Sequence, residues 1–304
     1  MNILMTGSGG FLGTALIPKL LEKGHKVIAL QHQKAVQPGV IALQGDITKP
    51  NLALEKVPEG ITTCYHLAAI HRLGYNQEKE IWTTNVGGTL NVISFCEQHG
   101  IEHLYFCSTA YSQGRNPYEQ SKALGEYLVK RSKIPKITIF KPSIIMGTPQ
   151  HFYPGHFSQF VALLVKIHQR AELVRRKIEG TLRLPVLEPV FRMKANPGGK
   201  LNLISIEDVA GAMANIEDSG TLWLTHPNPP TLQEIVDWVS EFIMVKIKIE
   251  ANFDEPTPLE MMFQKMSSAF TPYLWGDDFP SHLMQASPIT REFIHSTIKM
   301  TVLG

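Results

Sequence analysis

Short apolar runs bounded by turn residues alternate with stretches of helical period through the first half of the chain. The runs are Ile3–Met5, Val27–Leu30, Val40–Leu43, Thr63–Leu67, His103–Cys107 and Ile137–Phe140; the helical stretches are Phe11–Glu22, Glu78–His99 and about Tyr118–Arg131. Runs that are apolar throughout, instead of alternating with polar residues, predict strands covered on both faces. Helices between them predict parallel connections. The expected class is α/β, a doubly wound parallel sheet.

After Pro142 the pattern changes. The segment "GTPQHFYPGHF" is dense in glycine, proline and aromatic residues, and "LEPVF" and "NPGG" interrupt the chain between it and residue 200. "LNLISIEDVAGAM" then predicts one more strand and helix that return to the sheet. The expected organisation is a first domain over 1–150, to which 201–226 returns, and a smaller discontinuous C-terminal cap from 151–200 and 227–304. The cleft between sheet and cap is the expected ligand site. There is no internal repeat and no low-complexity segment.

Composition narrows the classes. Hydrophobic residues make up 43% and charged residues 18% of 304, an ordinary globular balance without an apolar run long enough to cross a membrane. The first strand begins at Asn2, leaving no room ahead of it for a basic and an apolar leader region, so a cytoplasmic protein is expected. A net charge of +2 gives no reason to expect nucleic acid or a membrane surface as partner. Cys64, Cys96 and Cys107 lack paired metal-ligand spacing and are expected to be buried thiols, with no metal.

The first candidate chemistry is "TGSGGFLG", Thr6 to Gly13, between a strand and a helix. Gly7 permits a tight turn, Gly10 lets the backbone approach a pyrophosphate, and Gly13 lets the helix pack closely on the sheet. The phosphates would then rest on the helix N-terminus. A plain flexible link is the alternative. At the end of the second strand, where an acid would hydrogen-bond an adenosine ribose, stand Gln31, His32, Gln33 and Lys34. No carboxylate is present, and His32 and Lys34 suit a 2′-phosphate, which favours NADP over NAD.

Tyr118 and Lys122 are four residues apart, on one face of a helix. A neighbouring ammonium favours the phenolate, so the tyrosine pKa is expected to fall from its usual value of about 10. Tyr118 would then pass a proton to a carbonyl oxygen. Thr109 follows the strand His103–Cys107 at its carboxyl end and can donate to a developing oxyanion, with Ser108 as competitor and an ST-turn as its plain role. Ahead of a helical run, Asn85 has the plain role of an N-cap or turn residue, and Asp46 in "GDIT" that of a turn residue.

Taken in order, the glycine turn, "HLAA" (His66 to Ala69), "NVGGT" (Asn85 to Thr89), "STAY" (Ser108 to Tyr111) and "YEQSK" (Tyr118 to Lys122) resemble the extended short-chain dehydrogenase/reductase family. Within it, "GDITKPNL", "NPYEQSKALGE" and "KPSIIMG" look most like the branch of thioester reductase and fatty acyl reductase domains. The resemblance implies a Rossmann-type fold with a substrate-binding cap, and an NAD(P)-dependent oxidoreductase reducing an aldehyde, ketone or acyl thioester. It implies that Thr109 is preferred over Ser108, that Lys122 binds the nicotinamide ribose, and that Asn85 holds a water or a backbone kink near Lys122. Asp46 would bind the adenine amino group, and Ile47, Leu67, Ala68, Ala69, Phe11, Leu12, Pro142 and Ile144 would line the cofactor. A nucleotide-sugar epimerase or dehydratase shares these residues, and a catalytically silent NAD(P)-sensing protein keeps the pocket alone.

Two departures stand out. Nine residues separate Ser108 from Tyr118, a short connection, and Lys141-Pro142 stands where an Arg-Pro pair is usual. Between Phe160 and Lys200, nine basic residues face three acidic ones. That excess is read either as a solvated helix face or as an attractor for an anionic handle such as coenzyme A or a carrier-bound phosphopantetheine. Monomer and homodimer both stay open.

Overall fold

The computed structural model of the chain describes residues 1–32, 37–73, 77–153, 155–183 and 190–302. In chain order the elements of the first half are β1 (Asn2–Thr6), α1 (Phe11–Glu22), β2 (Lys26–Gln31), β3 (Ile41–Gln44), β4 (Thr63–His66), α2 (Glu78–Ile81), α3 (Gly88–Gln98), β5 (His103–Cys107), α4 (Pro117–Lys130) and β6 (Lys136–Pro142). There follow β7 (Ile144–Met146), α5 (His156–Leu182), β8 (Phe191–Lys194), β9 (Leu203–Ser205), α6 (Ile206–Asn215), β10 (Gly220–Leu224), α7 (Leu232–Ile243), β11 (Ile247–Glu250), α8 (Pro258–Met266) and α9 (Arg291–Val302). They fall into two units.

The first unit comprises Met1–Ser143, Ile206–Pro227 and Pro280–Ala286. Its seven strands pair in the order β10-β6-β5-β4-β1-β2-β3, every pair parallel. This is the doubly wound sheet expected from the continuous apolar runs. Alternate residues of each strand serve opposite layers, as the two-residue period dictates. Leu4, Cys64, Leu104 and Phe106 join Val92, Phe95 and Val129 of α3 and α4 in one core. Tyr65 points the other way, stacks on Tyr105 at 4.2 Å and donates its hydroxyl to the Met213 carbonyl of α6. Strand order reverses between β1 and β4, so the carboxyl ends of these strands form the crevice where such sheets bind ligands.

Two expectations need correction. The strand in "LNLIS" does not return to the main sheet: β9 pairs with β7 in a separate two-stranded sheet, and only the following helix, α6, belongs to the first unit. The seventh strand is β10, an edge strand paired with β6 alone. Its sequence, GTLWL, is half-exposed over most of its length and lacks the continuous buried run by which the central strands were read. Second, the single helix expected over 78–99 is broken by a π-helical turn at Trp82–Gly87 between α2 and α3.

The second unit comprises Ile144–Ser205, Asn228–Phe279 and the residues from Ser287 onward. The 27-residue α5 packs on α8 and α9, and β8 pairs in parallel with β11. Both α7 and α8 open with capping boxes, Thr231 with Glu234 and Thr257 with Glu260. Part of the basic run is matched locally: Arg175 lies 2.9 Å from Glu172, and Arg192 reaches Glu260 at 3.0 Å. Among the described residues no helix is long and apolar enough to cross a membrane.

Candidate active site

The turn after β1 is built for close approach. Gly7 has φ +73°, and a Cβ there would stand 2.6 Å from the Ala68 amide nitrogen at the end of β4. A Cβ on Gly13 would stand 2.4 Å from the Gly7 carbonyl oxygen, and the Gly10 amide donates to that same carbonyl at 3.0 Å. At Gly7 and Gly13 the turn therefore has no room for a side chain. Gly10 caps α1 without a side chain, and no acid occupies the first turn, which holds Phe11, Leu12 and Gly13. Such an N-terminus carries uncompensated positive potential and suits a phosphate.

Around the turn, the other expected cofactor residues fall into place unevenly. Leu67, Ala68 and Ala69 continue β4 half-buried, with the Ala68 amide donating to the Thr6 hydroxyl at 3.3 Å. Gln31 ends β2 and accepts from the Gly45 amide, and His32 is exposed just beyond it. The Asp46 carboxylate makes the Asx turn of its plain reading: Oδ1 accepts from the Thr48 amide and hydroxyl, both at 2.8 Å, while Oδ2 lies 3.8 Å from His32 Nε2. Ile47 is buried against Gly88 of α3. Lys34 lies outside the described residues. Pro142 ends β6 with its carbonyl accepting from the Ala110 amide at 2.8 Å, and Ile144 opens β7 in the second unit.

The residues expected to carry chemistry converge at the carboxyl end of β5. Asn116 caps α4 by accepting the Glu119 amide at 3.0 Å, and Pro117 sets the first helical position, which fixes Tyr118 in the opening turn. Tyr118 lies beside Thr109, whose hydroxyl lowers the phenol's pKa. The Thr109 oxygen accepts the Tyr111 amide at 3.2 Å, so the ST-turn exists and still leaves the threonine hydrogen available to donate. Asn116→Ala should cost about 1 kcal/mol of stability by denaturant unfolding, the usual worth of such a cap, and raise KM more than a surface substitution because it loosens the turn bearing Tyr118.

Lys122 lies one turn beyond Tyr118, buried, its Nζ donating to the Cys107 carbonyl at 2.6 Å and standing 4.9 Å from the centre of the Phe106 ring. The expected fall in the Tyr118 pKa is not found. Burial pushes the phenol well above its usual value, the neighbouring Cys107 adds to the rise, and the Thr109 hydroxyl offsets only part of it. The same burial lowers the Lys122 pKa. Desolvation dominates the shift, and the phenol of Tyr118 is protonated at neutral pH.

Asn85 sits inside the π-helical turn, not at a helix start, which removes the N-cap reading. Its side chain accepts from the Ile70 amide at 2.8 Å and donates to the Ile70 carbonyl and the Ser121 hydroxyl, each at 2.9 Å. A side chain that clamps a neighbouring backbone from within the helix accounts for the local break, as π-bulges commonly accompany functional sites. The site's inner wall continues through His66, which pairs with Thr6 at 2.7 Å and Thr89 at 3.0 Å; burial lowers its pKa to about 3 and keeps it neutral.

Ser108 is not available as the catalytic hydroxyl. It donates to Glu126 Oε1 at 2.5 Å, and Lys141 donates to the same oxygen at 2.6 Å. Sequence reasoning passed over Glu126, although its spacing of eight from Tyr118 on one helix face carried the signal. It also passed over Ser143, whose hydroxyl is buried after Pro142 with no partner among the described residues. A glycine cradle closed to any Cβ, an uncapped helix start and a buried orphan hydroxyl beyond β6 together fit an elongated dinucleotide with a polar head.

Comparisons with known proteins bear on the family and the fold. The profile of the NAD dependent epimerase/dehydratase family matches residues 3–182. A 2-alkyl-3-oxoalkanoate reductase of Stenotrophomonas maltophilia is 40% identical over 113 residues, 36% of this chain and 33% of that protein. A UDP-glucose 4-epimerase of Streptococcus mutans is 24% identical over 59% of this chain and 62% of its own. Alignments thus span about a third of the first curated relatives' length. Among solved structures, the terminal R domain of the myxalamid PKS-NRPS pathway superposes with a TM-score of 0.69 at 19% identity, covering 99% of this chain and 90% of that one. The UDP-glucose 4-epimerase of Thermotoga maritima gives 0.66 at 14% identity, with 98% of each chain covered. Likeness at such identity concerns the fold. With more than half of its length matched by the profile, the chain belongs to the NAD dependent epimerase/dehydratase family.

Proposed function

We propose that the protein is an NADPH-preferring reductase of carbonyl compounds, of the extended short-chain dehydrogenase/reductase type. The observation that carries this reading is the placement of Thr109 beside Tyr118 at the carboxyl end of β5, with Lys122 buried one helical turn away and held on the Cys107 carbonyl. When bound, the nicotinamide supplies the hydride. Tyr118, held protonated, gives its proton to the substrate oxygen, and Thr109 donates to that oxygen as charge develops. Lys122 holds the ribose and places positive charge behind Tyr118 as the proton leaves. The glycine turn and the start of α1 hold the pyrophosphate.

The substrate class favoured is an aldehyde, a ketone or an acyl thioester carried on coenzyme A or a carrier. The reductase relative and the R-domain neighbour support this choice, as do the Asn116–Glu126 and Lys141–Gly147 segments. Epimerases among the relatives support a second reading, interconversion of a nucleotide sugar with tightly held NAD. Against it stands Gln31 where a ribose-binding acid would serve NAD. Oxidation of NADPH by the purified protein across a panel of aldehydes, ketones, acyl thioesters and UDP-sugars tests the choice. Turnover on a carbonyl supports it, and activity confined to UDP-sugars without net NADPH oxidation removes it. Calorimetry should find NADPH bound at least about tenfold more tightly than NADH, a difference of roughly 1.4 kcal/mol. A preference for NADH would exclude His32 as a phosphate-facing residue.

A further inference from the structure

Beneath the carboxyl end of β5 runs a buried polar chain for which the assignment of Tyr118, Lys122 and Thr109 has no use. Tyr118, Lys122 and Glu126 follow each other at intervals of four along one face of α4. Glu126 Oε1 receives the Ser108 hydroxyl at 2.5 Å and the Lys141 ammonium at 2.6 Å. Lys141 also donates to the Ser112 hydroxyl at 2.6 Å and lies 4.8 Å from the centre of the Trp223 ring. The contacts join β5, the loop after it, α4, β6 and β10. A buried ion pair seldom stabilises a fold more than an apolar pair of equal volume, so its presence here calls for a role beyond packing.

The surroundings of Lys122 supply that role. From β5 it meets the Cys107 carbonyl, the Cys107 thiol and the Phe106 ring; from β4, His66; from its own helix, Tyr118 and Glu126; and Lys141 of β6 stands behind Glu126. Burial keeps His66 and the Cys107 thiol neutral at ordinary pH. Of these groups Glu126 is the anion. Burial lowers the pKa of Lys122, and Cys107 and then Glu126 act in the opposing direction.

We propose that Glu126 is a positioning residue: braced by Lys141 and Ser108, it locks the strand end bearing Thr109 to the helix bearing Tyr118 and Lys122, and it supplies the negative charge that keeps the Lys122 ammonium protonated. Its consequence for turnover rests on the reductase reading, but the electrostatic claim can be tested without turnover. The measurement is an NMR pH titration of the Lys122 13Cε resonance in the full chain labelled with 13C-lysine, assigned by its loss in Lys122→Arg. Glu126→Gln should lower the Lys122 midpoint by about one pH unit or more. Lys141→Arg, which keeps a cation on Glu126, should hold it near the native value.

Glu126→Gln leaves Lys141 buried beside a neutral amide. Should that variant fail to fold, Glu126→Gln/Lys141→Met removes both charges and should fold with a midpoint still below the native value, though lowered less than by loss of Glu126 alone because the repulsion from Lys141 is lost too. On a carbonyl substrate, the alkaline fall of kcat should move to lower pH in step with the midpoint, with KM nearly unchanged. An unmoved Lys122 midpoint overturns the proposal, as does failure of the double variant to fold, which would assign the pair to stability. A lowered midpoint without turnover on any carbonyl upholds the electrostatic claim and overturns the reductase reading instead.

Discussion

Tyr118→Phe should lower kcat by about 10²–10⁴, the usual worth of a positioned acid, while the dissociation constant for NADPH changes by less than about threefold. The substitution removes one oxygen and leaves the ring in place in the opening turn of α4. Asn116 and Pro117 hold that turn without help from the phenol. Thr109 keeps its bond from the Tyr111 amide, so the strand end should not shift. Because burial raises the Tyr118 pKa, its protonated form persists through neutral pH. In the wild type, ionisation of Tyr118 should therefore cost kcat for reduction nothing between about pH 6 and 9, and the alkaline fall should follow the Lys122 midpoint instead. Steady-state kinetics and fluorescence titration of the cofactor measure the two quantities separately. Full turnover in the phenylalanine variant would move the proton transfer to another group.

Gly7→Ala should have the second large effect, on cofactor binding and on the fold together. The residue sits at φ +73°, and its added Cβ would meet the Ala68 nitrogen at 2.6 Å and the Leu67 carbonyl carbon at 2.8 Å. Left-handed backbone alone costs an alanine roughly 1–2 kcal/mol. The clash with backbone atoms adds to it, so the unfolding free energy should drop by about 2 kcal/mol or more. Relief of the clash must pull the turn away from the end of β4, and NADPH affinity should fall by about a hundredfold or more. Gly211→Ala is the control: it lies in α6 with nothing within 4 Å of the added carbon, and it should be neutral or stabilising by up to about 1 kcal/mol. Equal effects at the two positions would mean that the turn is a plain link.

Legibility of the fold from the chain tracks the strength of local signals. β1, β4, β5 and α1 are fixed by continuous apolar runs and by glycines whose spacing has a steric reason, and they stand where the sequence placed them within a residue or so. β10 was invisible because an edge strand with one neighbour needs no continuous buried face. β9 was visible as a strand but not in its pairing, which depends on β7, a three-residue partner without a sequence pattern of its own. The break in the helix over 78–99 is a tertiary effect, created by Asn85 reaching Ile70 and Ser121. The direction of the Tyr118 shift escaped for a similar reason. Spacing brings an ammonium near, but only packing tells how much water is lost, and here desolvation dominates. Ser108 and Thr109 stood as rivals on the chain, and Glu126, eighteen residues from Ser108, separates them by engaging the first.

The central claim is that this chain reduces a carbonyl with Tyr118 as the acid, and isotope transfer tests it most directly. NADPH carrying deuterium at the nicotinamide C4 position is incubated with the protein and the best carbonyl substrate of the panel, and the product is analysed by mass spectrometry. The account predicts one deuterium in the product alcohol per NADPH consumed, from one face of the ring only, and near-complete loss of transfer in Tyr118→Phe. Product free of deuterium, or a UDP-sugar interconverted with no NADPH consumed, would contradict it.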